Sequence, residues 1–313
     1  MEKAIDKNLP YNINKPVVTM GTFDGVHPGH KALLQKVSEI AKRKKRESVV
    51  LTFWPHPRIV LGKDAESLRF LTTPKEKNRL IKECGIDHIV TIPFTKKLAT
   101  LSAEQFIKKI LIDKLNTDHL IIGFNHKFGK GGISFKDLLE LSINYNFEVS
   151  QFKHVSIDGL SPSSTKIRNH LLNGEIKKAN LLLGYPFFVS GEVTQGKKIG
   201  RTISYPTANI KFDERAKLIP PDGVYAVYVN IEGKNYKGMA NIGIRPTVNN
   251  HIDNRSLEVH ILDFKKEIYS KYISVHFIVK VREEMKFNSI ISLKEQLIKD
   301  EKEIRQILTK QSV

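Results

Sequence analysis

Two histidines spaced three residues apart lie in a glycine-rich stretch near the start of the chain. Residues 21–30 read Gly-Thr-Phe-Asp-Gly-Val-His-Pro-Gly-His; they follow an apolar run at 17–20 and precede an amphipathic run. This pattern predicts a strand, a tight turn and a helix start, whose first backbone N–H groups can hold a phosphate. If the helix begins near His27, the imidazoles of His27 and His30 share one face of its first turn. We therefore predict a phosphate-handling site here rather than a plain turn.

A second group of polar residues lies in the C-terminal half. Thr207 and Asn209 are two apart, so on an extended strand they project from one face and offer the hard oxygen donors that Mg²⁺ accepts; the stretch also reads as a simple turn. Glu258 is the one acid in an apolar run, and it faces away from Leu257 and Val259. Facing inward, Glu258 could act as a general base, whereas facing outward it would only pair with a lysine.

Glycines and cations precede Thr207 in a loop that could wrap phosphates. Gly196, Gly200 and Arg201 belong to this loop. Gly191 and the following Gly-Lys have the spacing of a P-loop. The rest of the motif does not match, because a lysine stands where Ser or Thr should be and no helix is predicted after it. The Walker-type interpretation is therefore disfavoured.

The first half of the chain alternates short apolar runs with longer helical patterns. Strands are predicted at 17–20, 48–53, 88–92, 119–122 and 147–152, and helices between them at 31–45, 73–84, 102–115 and 134–145. Ser102 and Gln105 form a capping-box pair at one helix start. Such alternation predicts an α/β, Rossmann-like parallel sheet covered on both faces, with its ligand beyond the carboxyl ends of the strands. His30 follows one of those ends.

The sequence pattern changes near residue 186, from helical stretches to β-branched and aromatic runs. A helical stretch opens at 163–168, breaks at Asn173-Gly174, resumes to 183 and stops at Gly-Tyr-Pro. Beyond it, β-branched and aromatic runs at 188–193, 224–231, 236–242, 257–262 and 273–281 are separated by turns, which predicts an antiparallel barrel or sandwich. A last amphipathic helix is predicted at 289–308. We therefore expect two domains, residues 1–185 and 186–313.

Composition limits the class of protein. The 313 residues carry a formal net charge of +18, which fits either a basic surface that attracts phosphorylated small molecules or, less well, a nucleic-acid-binding protein, since the lysines are spread along the chain. Cys84 is the only cysteine, so no internal disulfide can form. The acidic start of the chain does not resemble a signal peptide, and no apolar run is long enough to span a bilayer. We expect a cytoplasmic protein.

Seven motifs, in order, resemble the bacterial bifunctional riboflavin kinase / FAD synthetase family. They lie at 21–30, 53–57, 123–129, 163–168, 206–209, 241–247 and 257–260 and span nearly the whole chain. The resemblance implies two ATP-dependent steps. The C-terminal module, a small antiparallel barrel of riboflavin-kinase type with a terminal helix, would phosphorylate riboflavin to FMN. The N-terminal module would transfer AMP from ATP to FMN, giving FAD and pyrophosphate.

The resemblance also implies roles for particular residues. His27 and His30 would contact ATP phosphates, Arg168 would balance the charge of the leaving group, and Glu258 would take the proton of the ribityl hydroxyl. Thr207 and Asn209 would hold magnesium, and Asn125 and Arg282 would bind flavin. The full ATP-contacting set would be Gly21, Phe23, Asp24, Gly29, His30, Ser164, Thr165 and Arg168 in the first module, and Gly196, Gly200, Arg201, Thr207 and Asn209 in the second.

Two alternatives stay open at this stage. The first is a nucleotidyltransferase for a different phosphorylated acceptor with a fused β-domain, because the histidine and Ser-Ser-Thr motifs are shared among such enzymes. The second is a basic nucleic-acid-binding protein on the same scaffold, which would show steep salt dependence and no turnover. The favoured hypothesis expects riboflavin, FMN and ATP as partners, and neither nucleic acid nor membrane.

Overall fold

The computed structural model describes residues 13–62, 68–124, 129–153, 161–195, 203–212, 214, 216–244 and 255–310. The chain forms two compact units, residues 1–162 and 163–313. Among the described residues, no helix is both long enough and apolar enough to cross a membrane.

The first unit is built on a five-stranded parallel sheet. Its strands are β1 (Val17–Met20), β2 (Ser48–Trp54), β3 (His88–Pro93), β4 (His119–Gly123) and β5 (Glu148–Phe152). The strand order is β3-β2-β1-β4-β5, and every neighbouring pair is parallel. The order reverses between β1 and β4, and ligands of such sheets bind at the carboxyl ends of the strands beside that reversal. The predicted α/β fold of the first half is confirmed.

The helices of the first unit connect these strands. They are α1 (Pro28–Arg43), α2 (Pro57–Leu61), α3 (Pro74–Glu83), α4 (Lys96–Ala99), α5 (Ala103–Phe106) with a π-helical continuation (Ile107–Ile112), and α6 (Phe135–Asn144). The predicted capping box of Ser102 and Gln105 is present, and Thr73 forms a second one with Glu76. The short helices α2 and α4 were not predicted, because helices of four or five residues carry too little periodicity to be recognised.

Alternating strand positions bury one face of the sheet against the π-helical segment. Val18, Met20, Val49 and Leu51 form one apolar cluster with Ile107 and its neighbours. The opposite face of β1 and β2 carries Thr19 and Thr52, both fully buried. Hydroxyl groups on a covered face are unusual, and they lie at the level of the histidine turn.

The second unit begins with two helices, α7 (Ser164–Leu172) and α8 (Ile176–Leu183), followed by a closed six-stranded barrel. The strands are β6 (Phe188–Thr194), β7 (Ala208–Phe212), β8 (Gly223–Ile231), β9 (Lys234–Ile244), β10 (Arg255–Ile261) and β11 (Tyr272–Arg282). The barrel order is β10-β7-β6-β11-β8-β9, with antiparallel pairing throughout. The predicted antiparallel barrel is confirmed.

Helix α8 is attached to the barrel by an asparagine. The Asn180 side chain donates to the carbonyl of Phe277 and accepts from the backbone N–H of Phe187, both at 2.8 Å. Such buried bonds group the two helices with the barrel, so the compact units divide at 162/163. The domain boundary predicted at 185 stays a prediction.

The terminal helix α9 (Ile290–Lys310) packs on the outside of the barrel. Ile304 and Leu308 are buried in a cluster with Tyr205 and Val224. The Tyr228 hydroxyl donates to the carbonyl of Leu308 at 2.9 Å. The helix predicted at 289–308 is therefore confirmed, and it closes a second apolar layer outside the barrel wall.

Candidate active sites

The turn between β1 and α1 has an unusual backbone. Phe23, Gly25 and Val26 all have positive φ, at 49°, 81° and 34°. Only glycine adopts this region readily, and a β-branched residue there is strained. Because strain of this kind persists where the surrounding structure enforces it, often at functional sites, the turn is the first candidate site of the molecule.

The two histidines of this turn stack on each other. Their ring centroids are 3.7 Å apart and the ring planes differ by 17°. His27 is the N-cap of α1, and its Nδ1 accepts from the backbone N–H of His30 at 3.4 Å. A Cβ on Gly29 would lie 3.3 Å from the His27 ring, so the glycine leaves room for it. The prediction that both imidazoles share one face of the first turn is confirmed.

Burial makes both imidazoles poor bases. It lowers the pKa of His27 to about 4, although the nearby Asp24 carboxylate acts in the opposite direction. Burial and the adjacent His27 ring hold the pKa of His30 well below its usual value. Both rings are thus neutral at pH 7, and His27, whose Nδ1 accepts a bond, carries its proton on Nε2. A bound anion would meet N–H donors and the helix terminus rather than two cations.

Phe23 and Asp24 make the contacts that hold the turn in place. The edge of the Phe23 ring meets His30 at a centroid distance of 5.3 Å. Asp24 is buried, and its Oδ1 accepts from the backbone N–H groups of Leu71 and Thr72, at 2.9 and 3.1 Å. This geometry gives Asp24 a positioning role within the predicted ATP-contacting set.

The Ser-Ser-Thr motif opens α7 in the second unit. Ser163 is its N-cap, and its hydroxyl accepts from the N–H of Lys166 at 3.3 Å. Ser163 is therefore the cap, and Ser164 and Thr165 lie in the first turn of the helix. Arg168 lies one turn further and is 9% exposed.

Four predicted site residues lie outside the described part of the chain. They are Asn125, Gly196, Gly200 and Arg201.

The second candidate site lies across three neighbouring strands of the barrel. Glu258 on β10 stands directly opposite Asn209 on β7 and Asn241 on β9. Directly opposed residues share a face of the sheet. The Thr207 hydroxyl donates to Glu258 Oε2 at 3.2 Å, and Asn209 is 3% exposed. The alternative of a simple turn at 206–209 is wrong, since β7 begins at Ala208.

Glu258 occupies a position that neither sequence alternative described. Leu257 and Val259 are fully buried, so Glu258 faces away from them, as the alternation predicts. It is half-buried and lines a cavity of about 260 Å³ that Leu293 and Leu297 of α9 also line. Because α9 covers this part of the barrel, the outward-facing Glu258 carboxylate lines a cavity. We call it the helix-side cavity.

Arg282 also lines the helix-side cavity, and its guanidinium is firmly held. Its Nε and Nη2 donate to the Asp300 carboxylate at 2.7–3.0 Å, and Asp300 is 2% exposed. The predicted site residues did not include Asp300, Asn241 or Glu284. Asn241 and Glu284 line the same cavity. Burial raises the pKa of Glu284. Asn241 lies in the motif at 241–247, one of those on which the family resemblance rests, and this motif could have identified it.

A second cavity, of about 450 Å³, also has Thr207 in its lining. Pro206, Thr207 and Ala208 line it together with the segment 264–269, which brings Lys265 and Lys266 to its edge. We call it the loop-side cavity. Thr207 lines both cavities, so a group bound in one can approach a group bound in the other near the Thr207–Glu258 pair.

In comparisons with known proteins, a different family model matches each half of the chain. A family model described as FAD synthetase matches residues 10–166, and one described as riboflavin kinase matches residues 183–308. A Bacillus subtilis protein named bifunctional riboflavin kinase/FMN adenylyltransferase is 36% identical over 290 residues, covering 92% of this chain and 91% of its own. A protein of the same name from Escherichia coli K12 is 38% identical over 287 residues, covering 91% and 90%.

A solved structure shares the architecture. The crystal structure of a protein described as a macrolide-efflux protein from Streptococcus pneumoniae matches with a TM-score of 0.85 and 32% identity, covering 96% of this chain and 97% of its own. The chain belongs to the family of bifunctional riboflavin kinases/FMN adenylyltransferases.

Proposed function

We propose that this chain makes FAD in two ATP-dependent steps, with the functional division near residue 185. Residues 186–313 phosphorylate riboflavin to FMN, and residues 1–185 transfer AMP from ATP to FMN. The observation that carries the proposal is the Thr207–Glu258 pair between two cavities, within the segment that matches the riboflavin kinase model. A hydroxyl acceptor in one cavity and a nucleotide in the other would meet at a carboxylate base.

In the kinase step, Glu258 acts as general base. The helix-side cavity takes the flavin, since its apolar lining suits a ring system, and the loop-side cavity, with Lys265 and Lys266 at its edge, takes ATP. Glu258 accepts the proton of the ribityl hydroxyl as that oxygen attacks the γ-phosphorus. The bond from the γ-phosphorus to the bridging oxygen breaks, and ADP leaves. Arg282, fixed by Asp300, borders the flavin.

The oxygen donors beside Glu258 fit a magnesium ion. Thr207 and Asn209 would hold it together with phosphate oxygens and water, the ligand set that Mg²⁺ prefers. Its chemistry would be to neutralise charge on the phosphates. Within the described ranges, no three His, Cys, Asp or Glu side chains cluster as a metal site. The proposed ion therefore depends on the nucleotide for part of its coordination.

In the adenylyl-transfer step, the neutral imidazoles and the helix terminus stabilise phosphate charge. An FMN phosphate oxygen attacks the α-phosphorus of ATP, and the bond to the β-phosphate side breaks to release pyrophosphate. His27 and His30 donate N–H groups, and the positive end of the α1 dipole adds to them. Ser164, Thr165 and Arg168 are assigned to ATP phosphates, and Asn125 to FMN, by the resemblance alone.

The experiment that tests the proposal follows both products in one reaction. The purified protein is incubated with riboflavin, ATP and Mg²⁺, and FMN and FAD are separated by chromatography. We expect FMN to form first and FAD to follow. ATP consumption without FMN or FAD would instead favour a different acceptor. Retention of RNA or DNA with steep salt dependence and no turnover would favour the nucleic-acid hypothesis. The cytoplasmic location stays a prediction.

A further inference from the structure

A buried polar layer lies behind the histidine turn. Thr72, Thr73, Glu76 and Lys77, at the start of α3, are all buried, and Thr52 on β2 is fully buried beside them. Lys77 is 6% exposed, which is rare for a lysine, since lysines are almost never fully buried without a partner. None of the steps described above uses this ammonium group, so its presence needs a reason.

The contacts of Lys77 place its charge at the carboxyl end of β2. Its Nζ donates to Thr52 Oγ1 at 2.8 Å, across 25 residues of sequence. Burial lowers the pKa of Lys77 to about 8, and the Asp24 carboxylate opposes that shift. On its own helix, the neighbouring Glu76 carboxylate accepts from the backbone N–H of Thr73. The charged group that reaches Lys77 from the turn is therefore Asp24.

Asp24 connects this lysine to the histidines. Its Oδ1 accepts three bonds from Leu71 and Thr72, and the Thr72 hydroxyl accepts in turn from the backbone N–H of Gly25 at 3.1 Å. Gly25 is one of the positive-φ residues of the turn. The same carboxylate acts electrostatically on His27. Asp24 is thus the group through which a charge at Lys77 can act on the turn.

We propose that Lys77 is a positioning residue for adenylyl transfer: its ammonium, held by Thr52, balances the buried charge of Asp24 and so keeps the strained turn in the conformation that presents His27 and His30. This inference rests on the proposed function of the turn. A buried carboxylate that loses its counter-charge is costly to keep in place. A shift of the turn by about 1 Å can cost about 100-fold in rate.

The test compares three variants in the full-length protein. Lys77→Met removes the charge, Lys77→Arg keeps a charge that does not titrate, and Lys75→Met makes the same substitution at an exposed position of the same helix. FAD formation from FMN is measured from pH 6.5 to 10. FMN formation from riboflavin by the same samples serves as the internal control. Fluorescence of Trp54, the single tryptophan, at the end of β2, reports whether the first unit is folded.

We expect Lys77→Met to lower kcat for FAD about 10- to 100-fold at pH 7.5, with a smaller change in KM and with FMN formation intact. Wild-type FAD formation should fall above pH 8, as the ammonium loses its proton, while FMN formation does not. Lys77→Arg should restore much of the rate and abolish that alkaline fall, which a merely structural role would not do. Lys75→Met should behave as wild type.

Three results would overturn the inference: an unchanged kcat in a folded Lys77→Met variant, a wild-type alkaline fall shared by both reactions, or the same fall in Lys77→Arg. If Lys77 variants do not fold, the wild-type profile and Thr52→Val, which removes the hydrogen bond alone, decide in their place; Thr52→Val should lower kcat for FAD and shift the alkaline fall. A wild-type protein that forms no FAD at all would instead overturn the proposed function.

Discussion

The first unit builds its site from one continuous stretch of chain, whereas the second assembles its site from separate strands. His27 and His30 lie within a single turn and are stacked by local geometry. Thr207, Asn241 and Glu258 are far apart in sequence and meet through strand register. The first arrangement requires strained backbone, and the second requires a correctly paired barrel. A local motif therefore identifies the first site, while register identifies the second.

The two sites also differ in the protonation chemistry they offer. The turn holds two neutral imidazoles whose N–H groups can only donate toward phosphate under ordinary conditions. The barrel offers a carboxylate beside a hydroxyl, an arrangement that can accept a proton. This contrast matches the proposed steps, since a phosphate nucleophile needs no base and a ribityl hydroxyl does.

The largest expected effect breaks the kinase site alone. Glu258→Gln keeps the shape of the side chain and removes the base, so FMN formation should fall about 10²- to 10⁴-fold. Supplied FMN should still be converted to FAD. Both rates are measured by chromatography. Glu192→Gln, at an exposed position of β6, is the matched control. Equal loss of both reactions in Glu258→Gln would show that the sites are wrongly divided between the units.

The next effect concerns the stability of the barrel. Asp300→Ala leaves the Arg282 guanidinium without its buried partner, which should cost about 3–5 kcal/mol. The urea transition of the second unit, followed by far-UV circular dichroism, should move to lower urea, while the Trp54 transition stays. Asp263→Ala, which removes an exposed partner of Arg305, should move the transition far less, because solvent screens the pair. Similar losses in the two variants would contradict the importance of burial here.

A third effect breaks the adenylyl-transfer site alone. His30→Ala removes an N–H donor at the turn and should lower FAD formation about 10²- to 10³-fold, with FMN accumulating from riboflavin. The product ratio measured over time tests this expectation. His88→Ala, at a histidine that pairs with Glu47 instead, should leave both rates unchanged. A fall in FMN formation in His30→Ala would contradict the assignment of the two reactions to separate sites.

The smallest effect is the contribution of His27 to the pH dependence of the stability of the first unit. The folded pKa of His27 is lowered to about 4, so below pH 6.5 the unfolded imidazole binds a proton that the folded one does not. The contribution of His27 to stability is therefore fully present above pH 6.5 and declines toward pH 4, by about 3 kcal/mol. Urea midpoints from Trp54 fluorescence at pH 7, 5.5 and 4.5 measure it. The decline should become shallower in His27→Gln; an equally steep decline there would assign it to other groups.

Much of the fold could be predicted from the sequence because its signals are periodic. Alternating apolar runs and helical patterns predicted each strand of the parallel sheet, and turn-bounded β-branched runs predicted most of the barrel. Strand β7 was missing from the predicted strands, since Pro-Thr-Ala-Asn also reads as a turn. Its pairing with β6 and β10, which sequence periodicity does not contain, decides that it is a strand.

For the sites, the sequence alone predicted which residues carry chemistry and determined which family the motifs resemble. That information is local, because a tight turn, a helix start and a run of strand residues each depend on neighbours in the chain. The tertiary structure decided that Glu258 lines a cavity beneath α9, that Asp300 holds Arg282, and that the buried Lys77 donates to Thr52, where the charge of Asp24 acts on it. These pairings join residues that are distant in sequence, and packing of the whole unit, rather than local periodicity, brings them together.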